Sequence, residues 1–342
     1  MKRPTQNDVA RLAGVSRATV SYVLNGVTNS HVPISPETTQ RVMAAIAELG
    51  YEPDAHAQAL QSGKSKSIGL IIPDLRNPHF IQIATGVLQK AQACDYRVLI
   101  SSPILNKKLS LETLKGLLRN RIDGLIIVGD YNLSEEGHAI IENLIKQKFP
   151  ILEFTNLEDR DVIDSDYRDA AEIMMEYLFS LHHRRIGFIH GVEGYEIGFD
   201  RLDAYEEKHR SSNIPIDPEL VIHCGPTIED GYQAARKLLT LPARPTAIIA
   251  LNDLLSIGVL RAAADLEYRI PQDLSVVGFD DIPMANYLVP RLTTVTKDAV
   301  ELGVKSFSML LARIQNPDLP NQVFQHTPKV AIRESTGIAP SL

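Results

Sequence analysis

The stretch Thr5 to Asn25, TQNDVARLAGVSRATVSYVLN, sets two short helical patterns on either side of a tight AGVS turn, and no other feature restricts the fold so closely. Thr5 caps the first pattern, with Asp8 three residues on, and Val9, Ala10, Leu12 and Ala13 follow at helical spacing. Gly14 supplies the positive φ that a sharp turn needs, Val15 plugs the space between the helices, and Ser16 caps a second helix starting near Arg17. The buried side of that helix carries Val20, Val23 and Leu24. A third helix opens at Ser35-Pro36-Glu37, a serine cap with proline at the first helical position, points Val42, Met43, Ile46 and Leu49 inward, and ends at Gly50. Helices this short hold only by packing on one another, so the spacing predicts a helix-turn-helix head.

Burying that apolar side leaves Arg17, Ala18, Thr19, Ser21, Tyr22 and Asn25 facing outward or along the flanks. An arginine near the start of a groove-entering helix can hold guanine O6 and N7 with two hydrogen bonds. Hydroxyls and amides, including those of Thr5 and Ser16, suit phosphate oxygens and set register. The implied partner is double-stranded DNA.

From Ser67 the pattern changes to short β-branched runs alternating with helical segments. Ile68–Ile72, Arg97–Ile100, Gly124–Val128 and Ile151–Phe154 form one series; Ile186–Ile189, Val221–His223, Ala247–Ala250 and Ser275–Gly278 form a second. Two doubly wound parallel sheets are predicted, and their strand-end loops face a common cleft. Polar residues fall at those ends: Asp74 and Asn77-Pro78-His79-Phe80 after the first strand, Asp166, Arg201, Asn252-Asp253 and Asp280. A sugar needs groups that both donate and accept toward vicinal hydroxyls, with an aromatic face against its C–H surface, and these residues with Phe80 supply both. Asp253 and Asp281 read first as structural caps, Asn252 and Asp280 first as ligand contacts.

These motifs resemble the LacI/GalR family of bacterial transcription factors, and the resemblance covers the whole chain. It implies an α/β architecture: an N-terminal helix-turn-helix head plus a two-lobed, periplasmic-binding-protein-like core of doubly wound parallel sheets. The head is expected over residues 1–53, with a hinge helix and linker over 54–66 and an effector-binding core over 67–342. Lobe 1 would take about 67–164 and 297–325, and lobe 2 about 165–296 and 326–342, with crossings near Asp164, Thr296 and Gln325. Asp54 to Gly63, DAHAQALQSG, matches the family's hinge. Ala57 and Gln58 precede Leu60, which stands where relatives wedge a leucine into the minor groove. Arg17, Ala18 and Tyr22 occupy the specificity positions of the recognition helix, and His31 lies in a loop that is longer than in many relatives. Arg201, Asn252 and Asp280 match effector-contacting positions, with Phe80 and Asp166 at or beside the pocket. Purine-sensing relatives carry arginine and threonine at the positions of Tyr195 and Ile197, and an aromatic at that of Pro226, so the expected effector is a sugar or sugar phosphate with Tyr195 free to stack on it. The assembly implied is a homodimer on a palindromic operator, released by its effector. A corepressor-dependent regulator and an activator remain open.

The other function classes are less well served. With 342 residues, 44% of them hydrophobic and 23% charged, the chain can bury a real core in each lobe. No apolar run is long enough to span a membrane and MKRPTQNDVA has no apolar export region, so a cytoplasmic protein is expected, not a solute-binding transport module. Residues 1–66 hold seven Lys/Arg against five Asp/Glu, leaving 28 against 37 for the rest, which suits a head that meets DNA and a body that repels it. Cys94 and Cys224 lack metal or disulfide spacing. Gln61-Ser-Gly-Lys-Ser65 contains GKS, but Gln58 stands where a phosphate loop needs its first glycine. No GxSxG, HExxH or GxGxxG is present, so no enzyme, cofactor or metal is expected. His182-His183-Arg184-Arg185 reads as a solvated turn. The ending after Arg333-Glu-Ser-Thr-Gly337 carries no leucine heptad, so no tetramer is expected.

Overall fold

The computed structural model describes residues 4–25, 34–51, 64–104, 106–129, 133–155, 157, 159–164, 167–191 and 198–341. Two compact units divide the chain, Met1–Ser65 and Lys66–Leu342. In the first, α1 (Gln6–Ala13), α2 (Arg17–Asn25) and α3 (Pro36–Leu49) pack through Val9, Ala10, Ala13, Val20, Val42, Ala45 and Tyr51. The Thr5 hydroxyl and the Asp8 carboxylate form a capping box, Ser16 Oγ accepts from the Thr19 amide at 3.1 Å, and Gly14 turns the chain at φ 66°. Each such cap contributes about 1 kcal/mol to a helix too short to stand alone. Val15, Val23, Leu24, Ile46 and Leu49 pack half-buried around this core. Two inward assignments fail: Met43 is 53% exposed and Leu12 46%. At 100° per residue, 42, 45, 46 and 49 share one stripe of α3 and 43 lies off it. Ala45 takes the buried place instead.

The second unit is built on parallel sheets. β1 (Ser67–Ile71), β2 (Arg97–Ser101), β3 (Gly124–Val128), β4 (Ile151–Phe154), β5 (Asp161–Ile163) and β11 (Val323–Phe324) form a sheet of order β11-β5-β4-β3-β1-β2. β6 (Ile186–His190), β7 (Val221–His223), β8 (Ala247–Ala250) and β9 (Ser275–Val277) form another of order β7-β6-β8-β9. A small antiparallel pair, β10 (Thr294–Thr296) with β12 (Lys329–Ala331), continues from the end of β9, where the Gly278 amide donates to Thr293 and that of Asp280 to Val295. Both main sheets carry apolar clusters on two faces, which is why their central strands read as unbroken β-branched runs.

The chain changes sheets between Ile163 and Arg168, between Thr296 and Ala299, and between Phe324 and Lys329. The helix Ala299–Gln315 arrives by the second crossing and lies against Pro78–Gln92 of the first lobe. A Cβ on Gly86 would meet the Val300 carbonyl at 2.1 Å, and one on Gly303 the Ile83 carbonyl at 2.1 Å, so only glycine allows this approach. Arg313 from the same helix grips Asp161 at 2.8 Å through two nitrogens and fixes the edge strand β5.

Within the run His182–Arg185, His182 and Arg184 are exposed as a solvated turn would have them, but His183 and Arg185 are tied into the lobe. His183 is fully buried, and its ring bonds Thr246 Oγ1 at 2.9 Å and both Ser275 Oγ and the Gly337 carbonyl at 3.0 Å. Arg185 donates to the Ala243 carbonyl and to Asp217, both at 2.6 Å. The residues before β6 thus tie three segments together at the lower edge of the second sheet.

Candidate nucleic-acid interface and ligand cleft

On α2, Arg17, Ala18 and Tyr22 are exposed, while Thr19 and Ser21 are half-buried on its flanks. Arg17 Nε donates to Gln6 Oε1 at 3.3 Å, which steadies the guanidinium base and leaves its outer nitrogens free for a second acceptor. Thr5 and Ser16 cap α1 and α2, so their hydroxyls sit beside helix N-termini, where backbone amides favour phosphate. Asn25 ends α2. His31, Ala57 and Leu60 lie outside the described residues.

In the second unit the strand-end residues gather around Asp280, just past β9. The carboxylate of Asp280 receives the Asn77 amide at 3.4 Å and lies 3.9 Å from His79 Nδ1, both from the opposite lobe at the start of Pro78–Gln92. Its backbone is held at φ 104° and that of Asp281 at φ 50°, conformations a non-glycine residue adopts only when its surroundings dictate them. The Asp280 amide donates to Val295, and Asp281 pairs with Arg333 at 2.6 Å, so the turn is clamped from both sides.

Arg201 is buried near the start of the helix Phe199–Ser211. Its guanidinium lies 4.2 Å over the Tyr167 ring and 5.1 Å from that of Phe279, and among the described residues it donates to the Leu251 carbonyl at 3.3 Å. Lys297 from the second crossing also sits over Tyr167, at 4.4 Å. Asn252 is half-buried; its Oδ1 caps the helix Asp253–Asp265. Asp253 is structural: buried between the Thr294 hydroxyl at 2.6 Å and the Ile282 amide at 2.9 Å, it has its carboxyl pushed well up by burial and by Asp280. Asp74 is held by Arg76 through three side-chain contacts and a backbone amide, and Phe80 packs half-buried with its ring 5.4 Å from His79. Asp166 and Tyr195 lie outside the described residues.

Two polar atoms here, Arg201 Nε and His79 Nδ1, are buried without a hydrogen-bond partner among the described residues. Burial lowers the His79 pKa, which favours the neutral ring, against the charge of Asp280 and a hydrogen bond to the Asp280 backbone, and Nδ1 is the nitrogen left to a ligand. Asn77, Tyr167 and Lys297 belong to this arrangement, though the sequence reading did not single them out as ligand contacts. Two of them stand at sheet crossings, where neither periodicity nor strand-end position points to them. The ensemble is a cleft with fixed cations, a fixed carboxylate, aromatic faces and unspent hydrogen bonds, suited to a small polyhydroxylated molecule.

Residues 5–54 match the model described as bacterial regulatory proteins, lacI family, and residues 175–336 match a periplasmic binding protein-like domain. The ribose operon repressor of Haemophilus influenzae is 32% identical over 97% of this chain and 98% of its own. The chain belongs to the LacI family. As a member it is a DNA-binding transcriptional regulator with an effector-binding core. Its structure aligns with a lac repressor dimer bound to operator and the anti-inducer ONPF at a TM-score of 0.86, with 28% identity, covering 98% of this chain and 100% of that one. A LacI family regulator from Enterococcus faecium with bound ribose aligns at 0.72, with 28% identity over 80% of this chain and 99% of that one. No helix among the described residues is long and apolar enough to cross a membrane.

Proposed function

We propose that this LacI-family regulator is a cytoplasmic, non-enzymatic repressor that holds a palindromic operator as a two-fold homodimer and is released by a small neutral sugar, with D-ribose the first candidate. The head, 1–53, reads each half-site, Arg17 contacting a base and Thr5, Ser16, Thr19, Ser21 and Asn25 the backbone. The hinge, 54–66, presents Ala57 and Leu60 to the minor groove. The core lobes, about 67–164 with 297–325 and about 165–296 with 326–342, close on the sugar through Asp74, His79, Phe80, Asp166, Tyr195, Arg201, Asn252 and Asp280.

The observation that carries this reading is the composition of the cleft: a buried arginine stacked on aromatic rings, a clamped aspartate reached from the other lobe, and polar atoms left without partners. The ribose operon repressor and the ribose-bound regulator among its relatives make D-ribose the sugar to try first. A sugar bridging both lobes favours one interlobe angle, and through the hinge it lowers affinity for the operator by a coupling of about 1–3 kcal/mol.

The test is selection of a binding site from random duplexes with the full chain, followed by operator titration with D-ribose, other monosaccharides and purines. A palindrome, and a monosaccharide that weakens binding fivefold or more, is the expected outcome. Arg17→Ala is expected to cost about 1–3 kcal/mol and to relax choice at one symmetric base pair; a uniform loss across all sequences assigns Arg17 to a phosphate. Response to a purine alone removes the carbohydrate reading, and tighter binding with sugar reverses the sign of regulation.

A further inference from the structure

His190 closes β6, the central strand that leads into the cleft side of the second lobe, and it is only 1% exposed. Neither of its ring nitrogens has a hydrogen-bond partner among the described residues. Its neighbours are aromatic: His223, opposite it at the end of β7, at 4.6 Å between ring centroids, Phe199 at 5.4 Å and Phe188 at 5.7 Å. His190 also feels the charges of Arg201 and Asp200. A buried imidazole with both nitrogens unpaired is costly, and such a group in an otherwise well-bonded lobe marks a position kept for something other than stability.

We propose that His190 is a specificity group of the effector cleft, a neutral imidazole that binds one hydroxyl of the sugar, with His223 beside it fixing the ring. A neutral imidazole carries one donor and one acceptor, and so does a hydroxyl, so a single hydroxyl can use either nitrogen. Burial first, then His223 and Arg201, hold the ring pKa down to about 4, so it stays uncharged and adds no positive charge to the site. This assignment rests on the sugar-effector reading for the identity of its ligand, but not for the status of His190 itself.

The experiment compares thermal melting of the full-length wild type, His190→Leu and His190→Gln, first without additive and then with D-ribose, a panel of neutral monosaccharides and ribose 5-phosphate. Without additive, His190→Leu is expected to melt above wild type, because an apolar side chain replaces an unpaired polar one. The sugar that raises the wild-type melting temperature is expected to bind His190→Leu about tenfold more weakly, with His190→Gln recovering part of that loss. His190→Leu melting below wild type means that the ring has a structural partner and overturns the proposal whatever the ligand. Equal sugar affinity in wild type and His190→Leu overturns it as well. A wild type that answers to no sugar while His190→Leu still gains stability leaves His190 as a ligand group and refutes the carbohydrate reading instead.

Discussion

The two ends of the second-lobe sheet each hold a buried histidine, and the two are treated in opposite ways. At the lower end His183 spends both ring nitrogens, on Thr246, Ser275 and Gly337. At the upper end His190 spends neither on any described residue. Burial lowers both pKa values, so both rings are neutral, and charge is not what separates them. The difference is that parallel strands point their carboxyl ends at the cleft and their amino ends away from it. Bonds made at the lower end stabilise the lobe. Bonds withheld at the upper end are available to a ligand, and Arg201, in the same region, follows the same rule, its Nε having no partner among the described residues.

The largest effect expected from this comparison is at His183. Replacing it by alanine removes a ring that joins three segments and leaves the Thr246 and Ser275 hydroxyls short of a partner in a fully buried place, a loss of about 3 kcal/mol. The midpoint of urea unfolding should fall accordingly while sugar affinity stays at the wild-type value. If sugar affinity fell as steeply as stability, the two ends would not be separable.

Arg201→Met should give the reverse pattern at somewhat smaller size. Among the described residues the guanidinium makes one 3.3 Å bond, and methionine keeps apolar contact with Tyr167 and Phe279. Stability without ligand should therefore change little, while the affinity for the sugar drops by about 2 kcal/mol, the scale of a lost hydrogen bond to a charged group. Calorimetric titration with D-ribose measures the second quantity and melting the first. A strong loss of stability would move Arg201 to the structural class that His183 represents.

The architecture was largely legible from sequence, because the eight strands of its two parallel series lie on short aliphatic runs that alternate with helical segments. β5, β10 and β12 follow another strand with no α-helix between and β11 is two residues long, so these escaped; β5, Asp161-Val-Ile163, opens on an aspartate buried against Arg313 from 152 residues away. In the head, the caps at Thr5, Ser16 and Ser35 and the turn at Gly14 are local in sequence and were readable, whereas Met43 was set inward against its own helical phase and the exposure of Leu12 shows only in the packed head. In the cleft, Arg201 and Asp280 were reachable through resemblance and strand-end position. His183 and His190 both looked unremarkable in sequence: a single histidine near a strand carries no mark of whether its nitrogens will find partners. Only the assembled neighbourhood distinguishes the clamp from the subsite.

The smallest effect is a difference in pH dependence, and it separates the two histidines without any ligand. His190 is held to a pKa of about 4 when folded and returns to about 6.5 when unfolded, so below pH 6.5 the unfolded chain binds a proton that the folded one refuses. Stability from the neutral ring is therefore complete above about 6.5 and is lost as pH falls toward 4. His79, His183 and His209, whose pKa values burial also lowers, add in the same direction, whereas Asp253, pushed upward, acts against them. Wild-type stability should thus decline from pH 6.5 to 4.5, and that of His190→Leu should decline less steeply, by close to one proton near pH 5. Urea midpoints over that range give the slopes. Equal slopes would mean that His190 accepts a proton in the folded lobe, with Asp200 the nearest named anion to hold it, and the contrast between the two ends of the sheet would then lie in charge instead of in unspent hydrogen bonds.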